Sequence, residues 1–347
     1  MKINIFQWRY SPFLMLGAFW LPSSNVHSYP LTLVECQANI RTNPINIGNN
    51  ITSANASNAS IDATLEYRCT PSIISGYVSI CLAANGGNSS PTAINPRYMV
   101  NKTDITSTLP FKMTIQGRTW GTFETSLAYK IPTLYLPGPI GGSPTISGTI
   151  PITVSLLPKA DGTVPIAGLY TNVFSGLSAT LTFDADRYEN SADCLTDRRE
   201  TRSIEAFTIQ ATVINSCEIT TTNDVNLGSH PASNTNILGS RGNAIGVTCT
   251  KDAPYTIGLA PSNGNQSGAG VMSGTGSNTD KVPYQLRSTA GISGTPWGNT
   301  ATSNSVGNGV KDIGNGVVQN KTVYVTVQSA DFKPDNYSDT VTIHVNY

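Results

Sequence analysis

The sequence is one ordered pattern written twice, and that repeat constrains the fold more than any other feature. Cysteines frame it: Cys36 and Cys69 lie 33 positions apart, Cys217 and Cys249 lie 32 apart. Leu65-Glu66-Tyr67-Arg68-Cys69-Thr70 aligns with Ile245-Gly246-Val247-Thr248-Cys249-Thr250, and Tyr77-Val78-Ser79-Ile80 with Pro254-Tyr255-Thr256-Ile257. Met99 then aligns with Met272, Leu109-Pro110-Phe111-Lys112-Met113 with Val282-Pro283-Tyr284-Gln285-Leu286, and Trp120-Gly121 with Trp297-Gly298. Ile150, Ile152 and Val154 align with Val323, Val325 and Val327, and Gly168-Leu169-Tyr170-Thr171 with Asp335-Asn336-Tyr337-Ser338. So many matches in one order mean a single module used twice.

Each module reads as strands. Val323, Val325 and Val327 alternate with Tyr324 and Thr326, and Val341, Ile343, Val345 and Tyr347 alternate with Thr342, His344 and Asn346, the period of half-buried strands. Charged residues make up only 12%, polar turn formers separate the short apolar runs, and no long 3.6-residue period is visible, so the fold class is all-β. Six strands, A to F, are expected per copy. In the second copy these are A over 206–217, B ending at Cys249, C over 255–260, D from Pro283, E over 322–328 and F over 337–347. The expected domains are 29–183 and 203–347, joined by a charged linker over 184–202. Strand F of the second copy runs to Tyr347 with nothing after it to pair its outer edge. A sandwich left open in this way exposes backbone groups beside an apolar groove, which a partner strand is expected to fill.

Lys2 and Arg9 ahead of the apolar run 13–21 (FLMLGAFWL), with small residues around Val26-His27-Ser28, form an export signal over 1–28, so the mature chain is expected to begin at Tyr29. Net charge is zero, which gives no footprint for nucleic acid. In an exported chain six cysteines are a disulfide inventory. The repeated spacing pairs Cys36 with Cys69 and Cys217 with Cys249, leaving Cys81 for Cys194; each of the two short loops closed is worth roughly 3–4 kcal/mol on the chain-entropy account. The cysteines lack the CxxC spacing of a metal site, and the mature chain offers only His230 and His344, so neither a metal nor a cofactor is expected. No nucleophile elbow or phosphate loop is present, so no catalytic residue is expected either. Trp120 and Trp297 read as packing residues.

Cys217, Val247-Thr248-Cys249, Pro283-Tyr284-Gln285-Leu286, Trp297-Gly298 and Asn336-Tyr337-Ser338-Asp339-Thr340-Val341 together resemble the spore coat protein U domain. The resemblance is close over about 203–347 and reaches 31–183 only through the repeat. It implies a subunit of archaic, Csu-type chaperone–usher pili: an immunoglobulin-like sandwich lacking its last strand. The groove would be filled first by a periplasmic chaperone and then, at the outer-membrane usher, by the N-terminal extension of the next subunit. Only 29–35 precede Cys36, too few for a donor strand at ~3.3 Å per residue. The chain is therefore expected to accept a strand without giving one, as a tip adhesin at the cell surface of a Gram-negative bacterium does. A secreted coat or matrix protein, or a non-tip subunit, is the competing reading.

The two copies differ in their loops. With A–B, C–D and E–F at the pole away from the second domain, Pro44, Ile45 and Ile47, then Pro91, Ala93 and Ile94, then Val164, Pro165, Ile166, Ala167 and Leu169 are the expected attachment surface for hydrophobic or abiotic material and biofilm growth. The same side chains could instead tuck beneath their own loops. A secondary candidate, Tyr135, Leu136, Pro137, Pro139 and Ile140, is expected nearer the other pole.

Overall fold

The computed structural model describes residues 34–71, 75–138, 144–196, 198 and 200–347; the expected export signal lies outside the described residues. The first half forms β1 (Val34–Ile40), β2 (Ile45–Asn46), β3 (Ser60–Pro71), β4 (Gly76–Ala84), β5 (Arg97–Asn101) and β6 (Thr108–Ile115). It continues with β7 (Arg118–Thr119), β8 (Tyr129–Leu136), β9 (Ile146–Leu156), β10 (Gly168–Phe174), β11 (Ala179–Asp186), β12 (Glu200–Ser203) and β13 (Phe207–Val213). The second half forms β14 (Cys217–Thr222), β15 (Thr235–Cys249), β16 (Pro254–Pro261) and β17 (Ala269–Ser273). It ends with β18 (Lys281–Arg287), β19 (Val310–Ile313), β20 (Val318–Ser329) and β21 (Val341–Asn346). One sandwich sets the sheet β1-β3-β9-β6-β5-β10-β13-β2 against β12-β11-β4-β8; the other sets β14-β15-β20-β18-β17 against β19-β16-β21. The fold is two immunoglobulin-like β-sandwiches.

Alternation builds each core. In β1, Val34, Cys36, Ala38 and Ile40 face inward and Glu35 and Gln37 outward, as a strand with one wet face requires. The disulfides are Cys36–Cys69, Cys81–Cys194 and Cys217–Cys249. Cys36 sits directly opposite Cys69, and Cys217 opposite Cys249, so each short bridge ties strand A to strand B.

Atom-level equivalences confirm the repeat and correct its register. Trp120 Nε1 donates to Leu82 O, and Trp297 Nε1 to Ile257 O. Tyr170 Oη donates to Ile166 O and Tyr337 Oη to Lys333 O, the same corner at the same spacing. Leu82, not Ile80, therefore stands where Ile257 stands. Likewise Val154 opposes Met113 as Val325 opposes Leu286, so Val154 takes the place expected of Ile152. Both corrections are slips of two residues, which leave every side chain on its expected face.

A larger correction concerns 206–217. This segment is not strand A of the second sandwich. Its β13 pairs with β10 over the full length Gly168↔Val213 to Phe174↔Phe207, and β12 continues the ladder along β11 from Thr180↔Ser203 to Phe183↔Glu200. The two long strands form one ribbon from the second sandwich to the opposite end of the first. Phe207, Ile209, Ala211 and Val213 are buried in the first core, where Phe207 stacks on Phe174 at 4.8 Å. The first sandwich thus extends to Val213, and the expected linker contributes Asp184, Ala185 and Asp186 to β11 and the whole of β12.

The chain enters the second sandwich after Val213. There Val164 N donates to Gly316 O at 2.9 Å, Ile166 bridges to Lys251, and Ser53 N donates to Ser216 Oγ at 2.9 Å.

Candidate functional site

The second sandwich has an open edge. β21 pairs with β16 from Thr256↔Asn346 to Pro261↔Val341, and no strand among the described residues pairs its other side. The first sandwich shows what such an edge looks like when covered. Thr171 opposes Val100 on one side and Gln210 of β13 on the other; Ser338, its counterpart, has the matching bridge to Ser273 and no second strand partner among the described residues. Ala179 and Leu181, 2% and 0% exposed, correspond to Ile343 and Val345, which remain half-buried. Val341, Ile343 and Val345 therefore line a groove, with Val225 and Leu227 also packed against that core. Tyr284 donates to Asp339 at 2.6 Å just ahead of β21; burial and that carboxylate raise its phenol above the ordinary range. What such a groove can take is an extended apolar-alternating strand, with backbone pairing for affinity and pockets for alternate side chains.

The other exposed region is the far end of the first sandwich. The ribbon runs from the junction at Gly168 and Val213 to Asp186, where Asp186 opposes Tyr77 and Gly76 opposes Leu136. Here Tyr77 and Tyr135 sit as a cross-strand pair with centroids 5.3 Å apart, Tyr135 half exposed and Tyr188 72% exposed. Pro137 is exposed beside them and Leu136 is buried; Pro139 and Ile140 lie outside the described residues.

The three expected loops do not meet at that pole. Ile45 and Ile47 are 2% and 7% exposed because β2 lies parallel to β13 and the chain runs along it, with Pro44 alone exposed at its start. Val164 and Pro165 are buried at the junction, and Ile166, Ala167 and Leu169 are half-buried there. Pro91 is exposed and Ala93 and Ile94 half-buried, at mid-height along the ribbon. The physical reason is the closing strand. The poles were placed as if strand F led directly into the second sandwich, but β13 runs back antiparallel to it, and this exchanges the ends. The stretch given second rank, Tyr135 to Pro137, is the one at the far end. Tyr77 and Tyr188 stand beside it and were not among the expected residues.

Residues 203–344 match the Spore Coat Protein U domain family. No curated protein matches the chain. Among solved structures, similar folds include the tip subunit in the chaperone complex of the archaic Csu pili of Acinetobacter baumannii, at 14% identity, TM-score 0.47, and coverage of 90% of this chain and 100% of that one. Others are the CupB6 tip adhesin of Pseudomonas aeruginosa, at 14% identity, TM-score 0.34, and 90% and 93% coverage. CfaE, the adhesive subunit of CFA/I fimbria of enterotoxigenic Escherichia coli, has 11% identity, TM-score 0.31, and 88% and 93% coverage.

Proposed function

We propose that this chain, whose residues 203–344 carry a Spore Coat Protein U domain, is the attaching end subunit of a chaperone–usher fibre. The second sandwich anchors it and the first sandwich makes contact. One observation carries the reading: the strand Phe207–Val213 closes the first sandwich within the chain, while the outer edge of β21 stays open. In a fibre of strand-exchanging subunits, the alternating segment ahead of the first cysteine of the anchoring domain is the part given to a neighbour. Here that segment, ahead of Cys217, is spent internally. The partners are a periplasmic chaperone occupying the groove in transit, the outer-membrane usher, and a neighbouring subunit's N-terminal strand thereafter.

Attachment falls to the far end, through Tyr135, Pro137 and Tyr188 backed by Tyr77. Amphipathic aromatic rings lose water against a flat apolar surface at little entropic cost, each full burial being worth ~1.5–3 kcal/mol before the costs of association. Many fibres per cell multiply a weak contact into firm adhesion to hydrophobic material, and so into biofilm. The test has two arms. Expressed in the periplasm, the chain should be recovered only with chaperone or a donor peptide; a monodisperse monomer without either refutes the anchoring role. Tyr135→Ser with Tyr188→Ser should abolish binding to polystyrene while fibres remain visible by electron microscopy; full binding refutes the attaching role.

A further inference from the structure

The first sandwich has a cleft at a position that the second covers, and the repeat makes the two directly comparable. Ala84 N donates to Gly121 O as Leu259 N donates to Gly298 O, so Ala83 and Ala84 stand where Gly258 and Leu259 stand. In the second sandwich this stretch is roofed. Thr256 Oγ1 donates to Thr302 O, Asn346 Nδ2 donates to Ala301 O, and a Cβ added at Gly258 would meet Asn299 Oδ1 at 2.3 Å. The roof is the segment from Trp297 to β19. In the first sandwich the matching segment, from Trp120 to β8, is four residues shorter, since Tyr129 opposes Leu82 as Val310 opposes Ile257. Ala83 and Ala84, both buried, lie beneath an open cleft of about 420 Å³. That lies within the roughly 300–1,000 Å³ usual for small-ligand sites.

Its walls are features of the first sandwich. Leu177, 77% exposed, stands on a turn within the 3-10 segment Gly176–Ser178, where the path from Tyr170 to Ala179 is three residues longer than that from Tyr337 to Ile343, the counterpart of Ala179. Ile94 comes from the C–D loop, and Phe123 and Glu124 from the shortened segment. One buried side chain fixes these parts together. Arg97, 0% exposed, donates to Ala84 O at 2.9 Å, Asn85 O at 2.8 Å, Ile94 O at 2.8 Å and Trp120 O, and so joins floor and two walls through carbonyls alone. Burial lowers its pKa only to about 10, so it holds its charge and all its bonds at neutral pH. A site whose walls are tied by an immobile guanidinium is set before any ligand arrives.

The lining alternates apolar faces with short polar groups. Leu177 and Ile94 offer aliphatic contact, and Thr180 and Asn85 bring a hydroxyl and an amide to the lining. Asn85 Oδ1 accepts from Gly87 N, while its NH2 donates to no protein group among the described residues. Glu124 supplies an exposed carboxylate, with Arg198 at 4.0 Å. Such a mixture matches a ring with C–H faces and hydroxyls around its rim. We infer that this cleft binds a saccharide unit, lying on Leu177 and Ile94 with its hydroxyls donated to Glu124 and bonded to Asn85 and Thr180. It is a second binding site, at mid-height on the first sandwich and separate from the tyrosines of the far end.

Saturation-transfer NMR on the full exported chain, held with a donor peptide or its chaperone, tests this, with lactose and the methyl glycosides of glucose, galactose, mannose and N-acetylglucosamine as probes. At least one should show transfer to its ring protons. Leu177→Asn and Glu124→Gln alter exposed side chains and spare the core, and each should weaken that binding at least tenfold. Tyr135→Ser should leave it unchanged whatever it does to surface attachment, so the two sites fail independently. Absence of transfer from all five probes, or transfer undiminished in both cleft variants, overturns the inference.

Discussion

The two sandwiches share a disulfide between strands A and B, a tryptophan donating to strand C and a tyrosine corner, yet among the described residues one has a closing strand and the other does not. The inward side chains of β11 are sealed while those of β21 are half in water, although both strands alternate in the same way. Alternation therefore records which face a strand turns inward, and not whether that face is ever covered. Coverage depends on a segment from elsewhere in the chain, or from another chain.

Breaking the closure should have the largest effect. Ile209→Ala and Phe207→Ala each remove a wholly buried side chain from β13, and each should cost roughly 2–5 kcal/mol of first-sandwich stability. Urea unfolding followed through a probe in the first sandwich should show a lower midpoint, with the second transition unmoved. A shared shift of both transitions would mean the two sandwiches unfold as one, and that the closure is not private to the first. The matched pair sharpens this. Leu181→Ala should fall in the same 2–5 kcal/mol range, while Val345→Ala, half solvated already, should cost about 1 kcal/mol.

The converse is to close the open copy. Appending the sequence of β13 beyond Tyr347 through a flexible loop should bury the free sides of Val341, Ile343 and Val345. At roughly 25 cal/mol per Å² of apolar area, that should stabilise the second sandwich by a few kcal/mol. Thermal unfolding would report it, and Val345→Ala in this background should now cost about as much as Leu181→Ala. If the tethered strand changes nothing, the edge is not an acceptor.

How much of this was legible can be argued residue by residue. The disulfides were, because the cysteine spacing repeats and each short pair sits directly opposite in register. The sandwich class was, because alternation is local. The pairing of Ile80 with Ile257 was off by two, since a slip of two preserves every inward face and nothing in the pattern resists it. Ile45 and Ile47 looked like exposed loop residues because no local signal says that β2 lies along a strand some 160 residues later. The same long-range pairing moved Val164 and Ile166 from a supposed tip to the junction. The cleft left a trace in the sequence, the shorter interval after Trp120 than after Trp297, which becomes meaningful only when the register is right.

The tyrosine corners allow a finer comparison. Tyr170 is fully buried and its hydroxyl meets both Ile166 O and Ser107 Oγ, each at 2.8 Å; Tyr337 is half-buried and meets Lys333 O at 2.7 Å and Asn278 Nδ2 at 3.0 Å. Tyr170→Phe should cost about 1–3 kcal/mol, because it removes a fully buried residue's hydroxyl from two part-buried partners, whereas Tyr337→Phe should cost about 0.5–1.5 kcal/mol where water can replace the phenol. Equal losses in the two unfolding transitions would show that the open copy is as dry as the closed one.

The smallest contrast is in acid. Asp161 is held down to about 2 by the backbone N–H and hydroxyl of Thr163, helped by Lys159, and it orders the junction loop that carries Val164. Asp335 is held lower still by the hydroxyl of Thr275 and the amide of Asn278, and it orders the approach to Tyr337 at the open edge. Both folded values are depressed, so whatever stability these carboxylates contribute is fully present above their ordinary value near 3.8 and is lost as pH falls through the folded one. Nothing should change between pH 7 and about 5. Below about 4 the junction loop should respond first: the Thr163 amide resonance should titrate with a midpoint near 2, and the Thr275 amide, bonded to Asp335 at 2.7 Å, at a lower pH. Because both groups are solvent-exposed, added salt should weaken the Lys159 contribution and leave the Thr163 bonds, and hence most of the depression, in place. The reverse order of titration would mean that the edge, rather than the junction, is the more loosely held part of the chain.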